Sequence, residues 1–281
     1  MVPRSGRSRP SGELEGMAHG PRSLITGASS GIGAAFARAL AARGQDLVLV
    51  ARSADRLTAL AAELTAKHDI LADVLPTDLA DPGAADAIVA ELATRNIEIG
   101  TLINNAGFGS HGEFASLDAA RERNEVFVNV VAPHRLTRAL LPQMLSRRSG
   151  TIVNVASTAA FQPVPYMATY GATKAFVLSF SEALAAEVRP QGVRVLALCP
   201  GQTDTAFFEG IDEARVGRAR TPDQVVATAL RALDRGQAVV IDGWMNYLLA
   251  NSIRLAPRSL VTSMAARMQR PKGKPRSPSA R

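Results

Sequence analysis

The chain has 281 residues, 47% of them apolar, enough for one large α/β domain with a sizeable core. No apolar run is long enough for a membrane-spanning helix, no charged-then-apolar leader precedes the first strand, and the single cysteine, Cys199, excludes an internal disulfide and fits a reducing cytoplasm. The net charge of +7 lies in the ends, because residues 23–250 carry 20 basic and 23 acidic groups; a nucleic-acid-binding body is therefore not expected.

Residues 1–20 are rich in Arg, Ser, Gly and Pro and read as a disordered extension, with Met17 as an alternative start. The first strand is expected at 22–26 and the first helix at 31–43, with Gly27, Gly31 and Gly33 at the turn between them. Glycines there let the backbone approach a pyrophosphate, and a helix N-terminus favours its negative charge. The spacing is Gly-x-x-x-Gly-x-Gly rather than the more general Gly-x-Gly-x-x-Gly. A second strand at 47–51 and a helix at 54–67 follow. After such a strand an acidic residue would meet the ribose hydroxyls of NAD, whereas an arginine accommodates the 2′-phosphate of NADP. The chain reads Val50-Ala51-Arg52-Ser53, with Arg56 one turn further, so NADP(H) is expected over NAD(H).

The third strand spans 72–76, and Asp81-Pro82 reads as a helix start with Asp as N-cap. The fourth strand ends at Asn104, and a long helix spans 119–147 with a bend at Pro133. The fifth strand covers 151–156, the next helix runs to Val188, and the sixth strand covers 193–198, with Cys199 following as an inert buried residue. Thr221-Pro222-Asp223-Gln224 reads as a capping box, and a last strand covers 239–241. This alternation predicts a doubly wound parallel sheet of Rossmann type, a three-layer α/β/α single domain over residues 21–243. Ligands then bind at the carboxyl ends of the strands.

The segment Thr169-Tyr170-Gly171-Ala172-Thr173-Lys174 carries the chemistry. Four residues apart on a helix, Tyr170 and Lys174 share a face. An ammonium beside a phenol favours the phenolate, so such a tyrosine can pass a proton to a carbonyl oxygen, or take one from an alcohol, near neutrality.

Taken with Thr26-Gly27-Ala28-Ser29-Ser30-Gly31-Ile32-Gly33, this segment resembles the signatures of the classical short-chain dehydrogenase/reductase family, over roughly residues 20–243. Asn104-Asn105-Ala106-Gly107 and Pro200-Gly201, with Thr203 and Thr205 beyond, resemble two further family motifs. The resemblance implies Tyr170 as general acid/base and Lys174 as the residue that lowers its pKa and holds the nicotinamide ribose. It implies Ser157 as the hydroxyl that holds the substrate oxygen, with Thr158 as adjacent competitor, and Asn129 as the anchor of a water in the proton relay. It further implies a cofactor cradle of Gly27, Ser29, Ser30, Gly31, Ile32 and Gly33, an adenine contact at Asp78 and Leu79, and contacts from Asn105, Ala106, Gly107, Pro200, Gly201 and Thr203. The overall sequence resembles bacterial ketoacyl-type reductases, which implies an acyl- or lipid-like ketone or aldehyde as substrate and a homo-oligomer, dimer or tetramer. No metal is called for. The rival within the fold is an epimerase or dehydratase; the rival of another class is a non-catalytic dinucleotide sensor or membrane-surface scaffold.

The substrate side is less legible. Phe108, Phe161, Pro163, Val164, Pro165, Tyr166 and Met167 are expected to supply apolar walls near Tyr170, and Phe207, Phe208 and Ile211 a lid. Residues 244–270 form an amphipathic extension: Met245, Leu248, Leu249, Ser252, Ile253 and Ala256, then Leu260, Val261, Met264, Ala265 and Met268, recur at helical spacing, with Arg254, Arg258, Arg267 and Arg270 interspersed. The preferred expectation is that it packs on the body or on a second subunit; the alternative is peripheral contact with a membrane surface. Residues 271–281 read as a disordered basic tail. The expected location is the cytoplasm, with the membrane surface as its peripheral variant.

Overall fold

The computed structural model describes residues 20–204, 219–253 and 256–271. The expectations for residues 1–19 and 272–281, for Thr205 and the lid residues Phe207, Phe208 and Ile211, and for Arg254 lie outside them.

Seven strands form one sheet in the order β3-β2-β1-β4-β5-β6-β7, every neighbouring pair parallel. They are β1 (Arg22–Thr26), β2 (Leu47–Ala51), β3 (Ala72–Pro76), β4 (Ile99–Asn104), β5 (Gly150–Val155), β6 (Val193–Cys199) and β7 (Val239–Ile241). The central strands β1, β4 and β5 are buried along most of their length because helices cover both faces. One face packs on α1 (Gly31–Ala41), α2 (Ala54–His68) and α7 (Pro222–Asp234), around Phe36, Leu49 and Leu57. The other packs on α3 (Ala84–Thr94), α5 (Ala132–Ser146) and α6 (Ala168–Val188), around Leu24, Leu102 and Leu136. Strand order reverses direction between β1 and β4, which opens a crevice at their carboxyl ends.

Two local expectations are corrected. Asp81 does not cap a helix: its Oδ1 accepts from Gly83 N at 2.7 Å and closes a turn, and α3 starts at Ala84. The long helix over 119–147 is broken not at Pro133 but before it. Helix α4 (Ala119–Val126) passes into a π-turn at Phe127–Val131, where Ala132 N bonds to Phe127 O, five residues back. Pro133 then sits at the start of α5, directly after the π-turn. The capping box at Thr221 is present in both directions, Gln224 N to Thr221 Oγ1 at 3.3 Å and Thr221 N to Gln224 Oε1 at 3.1 Å.

Beyond β7 the chain makes two further helices, α8 (Trp244–Ile253) and α9 (Arg258–Gln269). They touch the body through Ala250, Val261 and Ala265, all buried. The larger apolar side chains expected to do the packing point outward: Met245, Leu248, Leu249, Leu260, Met264 and Met268 are about half exposed.

Candidate active site

A cavity of about 820 Å³ opens along the carboxyl ends of the strands. Its dinucleotide-facing end begins at Gly27, whose φ of 65° lies in the left-handed region that glycine reaches without strain. A Cβ there would stand 2.8 Å from Asn105 Nδ2. Gly33 does not line the cavity; a Cβ at this position would lie 2.2 Å from Gly27 O, so its smallness lets α1 close against the turn. Ser29, Ser30, Gly31 and Ile32 do line it. Ser30 sits at the N-cap of α1 without a side-chain cap bond, and no acidic residue occupies the first turn. The first amides of α1 are thus directed at the cavity with no carboxylate competing, an arrangement that suits a phosphate.

Strand ends close this cradle. Thr26 Oγ1 accepts from Asn105 N and Ala106 N, both at 3.0 Å, and Asn105 Nδ2 donates to Thr26 O at 2.9 Å. The Asn105-Ala106-Gly107 segment is thereby stitched to β1. Asp78 and Leu79 line the wall after β3, and Asp78 Oδ1 accepts from Ala80 N at 3.0 Å. Arg52 and Arg56 line the wall after β2, and neither guanidinium has an ion-pair partner among the described residues. Pro200, Gly201 and Thr203 complete the opposite wall after β6.

Ser157, Tyr170 and Lys174 all line this cavity. Ser157 Oγ accepts from Ala159 N at 3.1 Å, capping a short turn at Thr158–Phe161. That bond occupies a lone pair and leaves the hydroxyl proton for another acceptor. Thr158 also lines the cavity, but its N–H is committed to Pro200 O at 2.9 Å. Lys174 Nζ stands 5.8 Å from the centre of the Tyr170 ring and donates to Val155 O at 2.8 Å. Burial pushes its pKa down to about 8. Tyr166, just before α6, holds a φ of 66°, rare for a residue with a side chain, and its carbonyl accepts from Gly112 N at 2.8 Å.

Asn129 does not line the cavity. It lies behind it in the π-turn, fully buried. Its Oδ1 accepts from Phe108 N at 3.1 Å, and its Nδ2 donates to Phe108 O at 2.9 Å and Thr173 Oγ1 at 3.0 Å. A Cβ on Gly107 would lie 3.0 Å from Asn129 Oδ1 and 3.2 Å from Lys174 Nζ, so the three groups meet at one point. π-Turns of this kind recur at functional sites.

Of the expected apolar walls, Phe108, Val164 and Met167 line the cavity, with Val164 and Met167 packed on Tyr170. Phe161 instead packs against the cluster around Val177 and Cys199, and Pro163, Pro165 and Tyr166 do not line the cavity. Burial pushes the Cys199 thiol up to about 12, so it stays protonated and inert. Among the lining residues not read from the sequence as site residues are Asn246, Leu249, Ala250 and Ile253, from α8. Their signal was the helical spacing, which does not say what the helix covers.

Glu125 is a further unexpected residue. It is fully buried on α4, faces Ser110 without a hydrogen bond of standard geometry, and burial raises its pKa to about 7. No group of three or more potential metal ligands occurs among the described residues.

The family model for short chain dehydrogenase matches residues 22–216. Over 184 residues the chain is 39% identical to a very-long-chain 3-oxoacyl-CoA reductase of Phaeosphaeria nodorum, covering 63% of this chain and 54% of that one. The chain thus spans about half the length of that relative. Among solved structures it resembles a short-chain dehydrogenase from Sphingobium yanoikuyae in complex with NADPH (TM-score 0.77, 36% identity, 92% of this chain and 99% of that one). It also resembles a bulky-bulky ketone specific alcohol dehydrogenase from Comamonas testosteroni (TM-score 0.72, 33% identity, 90% and 97%).

Proposed function

The chain belongs to the short-chain dehydrogenase family, and on that premise we propose that it is a nicotinamide-dinucleotide-dependent oxidoreductase that uses NADPH to reduce the carbonyl of an apolar, acyl- or lipid-like ketone or aldehyde. The observation that carries this reading is that Ser157, Tyr170 and Lys174 line one cavity that also offers a glycine cradle and two guanidiniums with no ion-pair partner among the described residues.

The residues present fit such a cofactor. Gly27 and Gly31 line the cradle with bare backbone that a pyrophosphate can approach, the α1 amides would meet its charge, Lys174 would hold the ribose, and Arg52, supported by Arg56, would meet a 2′-phosphate. When bound, the cofactor supplies the hydride that reaches the carbonyl carbon. Ser157 holds the carbonyl oxygen with the proton its cap bond leaves free. Tyr170 gives that oxygen a proton, and the phenolate left behind is stabilised by the Lys174 ammonium. Asn129 anchors, behind Lys174, the water through which the proton is restored. The same steps in reverse oxidise an alcohol.

Phe108, Val164, Met167, Leu249 and Ile253 give the substrate end apolar surface beside the polar Asp118, Arg121, Asn124 and Gln269, and that surface accommodates a ketone with bulky or long apolar substituents. The names of the relatives, a very-long-chain 3-oxoacyl-CoA reductase and a bulky-ketone alcohol dehydrogenase, support the same class. Following NADPH absorbance over a panel of ketones tests the proposal: turnover is expected to rise with apolar bulk, and preference for small polar carbonyls or for NADH would overturn it.

A further inference from the structure

The two C-terminal helices present opposite faces to different surroundings. Inward, Asn246, Ala250 and Ile253 of α8 recur at helical spacing and line the cavity. Asn246 also packs against the cofactor loop, since a Cβ on Gly201 would fall 2.2 Å from its Nδ2. The far end of α9 is held to the body by His111 Nε2, 2.9 Å from Gln269 O. The pair is therefore a fixed wall of the active site.

Outward, the same helices carry most of the exposed large apolar side chains among the described residues. Trp244 is 70% exposed, Met245 58%, Tyr247 56%, Leu248 53%, Leu260 53% and Met264 56%. A patch of this kind on a water-facing surface marks an interaction site. Its charge identifies the occupant. Asp242 is the last acidic residue of the chain, and residues 251–281 carry eight basic residues. Arg267 stands on the same side of α9 as Leu260, Met264 and Met268. Exposed apolar side chains with tryptophan and tyrosine on α8, and with arginine on α9, are the composition of helices lying in a membrane interface. No helix among the described residues is long and apolar enough to cross a membrane, so the contact is parallel to the surface. A second copy on this face would bring two basic ends together. It would also cover Leu249, which is half exposed in the patch while lining the cavity.

We propose that the outer face of α8 and α9 docks on an anionic lipid bilayer, and that the apolar ketone reaches Tyr170 from that bilayer past Leu249. The delivery half rests on the reduction proposed above; the docking half does not. The cavity mouth and the patch share a side chain, so a docked enzyme opens its site toward the lipid rather than toward water.

Flotation of the full-length protein with vesicles of phosphatidylcholine, alone or with phosphatidylglycerol, tests docking. Binding to the anionic vesicles is expected, weakened by salt, with at least tenfold less binding to the neutral ones. Leu248→Glu with Leu260→Glu alters neither cavity nor catalytic residues and is expected to lower anionic-vesicle binding at least tenfold. Delivery is read with NADPH and two ketones, ethyl acetoacetate in solution and methyl 3-oxostearate loaded in the vesicles. The double variant should keep turnover of the soluble ketone and lose at least tenfold on the vesicle-borne one. Equal vesicle binding by wild type and variant, or a wild-type oligomer that the variant dissociates, overturns docking. Equal turnover of the vesicle-borne ketone by both overturns delivery. Failure of the wild type on both ketones falls on the proposed reaction, and flotation still decides docking.

Discussion

The two ends of the cavity are built on different physical terms. The cofactor end is held by directional bonds between motifs next to strand ends: Asn105 to Thr26, Ala28 N to Val50 O at 3.2 Å, Thr77 N to Ala51 O at 2.9 Å. The substrate end is lined by side chains from segments far apart in the chain, apolar Phe108, Val164, Met167, Leu249 and Ile253 among them, with α8 and α9 held to the body through the small residues Ala250, Val261 and Ala265. Hydrogen bonds fix geometry to a few tenths of an ångström, while apolar burial fixes only which surfaces meet. Such a construction keeps the hydride and proton chemistry constant and leaves the substrate open to change by repacking.

Substitutions can break this contrast or sharpen it. The largest effect belongs to the shared centre. Tyr170→Phe is expected to lower kcat by about 10²–10⁴, the usual contribution of a positioned acid, with cofactor affinity nearly unchanged; near-normal turnover with a ketone would remove the tyrosine from its role. At the cofactor end, Arg52→Ala should weaken NADPH by about tenfold, as a charge-assisted contact worth roughly 1.5 kcal/mol does, and leave NADH binding alone. Equal losses in titrations with both cofactors would mean that Arg52 is merely a solvated loop residue.

At the substrate end the expected change is in stability and selectivity. Truncation after Gly243 removes the seat of α8 on Gly201 and opens the cavity. Melting is expected to fall by about 2–4 °C for each kcal/mol lost, and preference for bulky ketones over small ones should shrink. A truncated protein with the same melting point and the same selectivity would make the two helices a bystander.

The smallest effect concerns Glu125, and its sign follows from its raised pKa. The folded protein holds this proton up to about pH 7, whereas the unfolded chain releases it nearer the ordinary carboxyl value of 4.5. The stability this gives is therefore full below the unfolded value and is lost as pH rises through about 7. Glu125→Gln should flatten that slope in melting curves and leave the variant relatively more stable at alkaline pH. An unchanged slope would place the charge elsewhere.

How much of this was written in the sequence follows the same division. The seven strands, the glycine turn, the capping box at Thr221 and the Tyr170–Lys174 pair were legible, because each depends on residues within a few positions of one another. Arg52 at the end of β2 was legible for the same reason. What escaped reading depended on partners distant in the chain. The π-turn at Phe127–Val131 accompanies Asn129 bonding to Phe108 and Thr173, and nothing in Phe127-Val128-Asn129 specifies those partners. Phe161 turned to the core rather than the cavity because the cluster around Val177 was available to it. The apolar period of residues 244–269 predicted two helices but not which side would pack. The tertiary structure decided that, since Asn246 and Ala250 fit closely against Gly201 and the cavity rim, where the bulkier Leu248 and Met264 remain outside. Sequence alone determined the local geometry that carries the chemistry, because backbone bonds and helical spacing act over short range. Only the fold decided which surfaces are covered, because burial depends on volumes that meet across the whole chain.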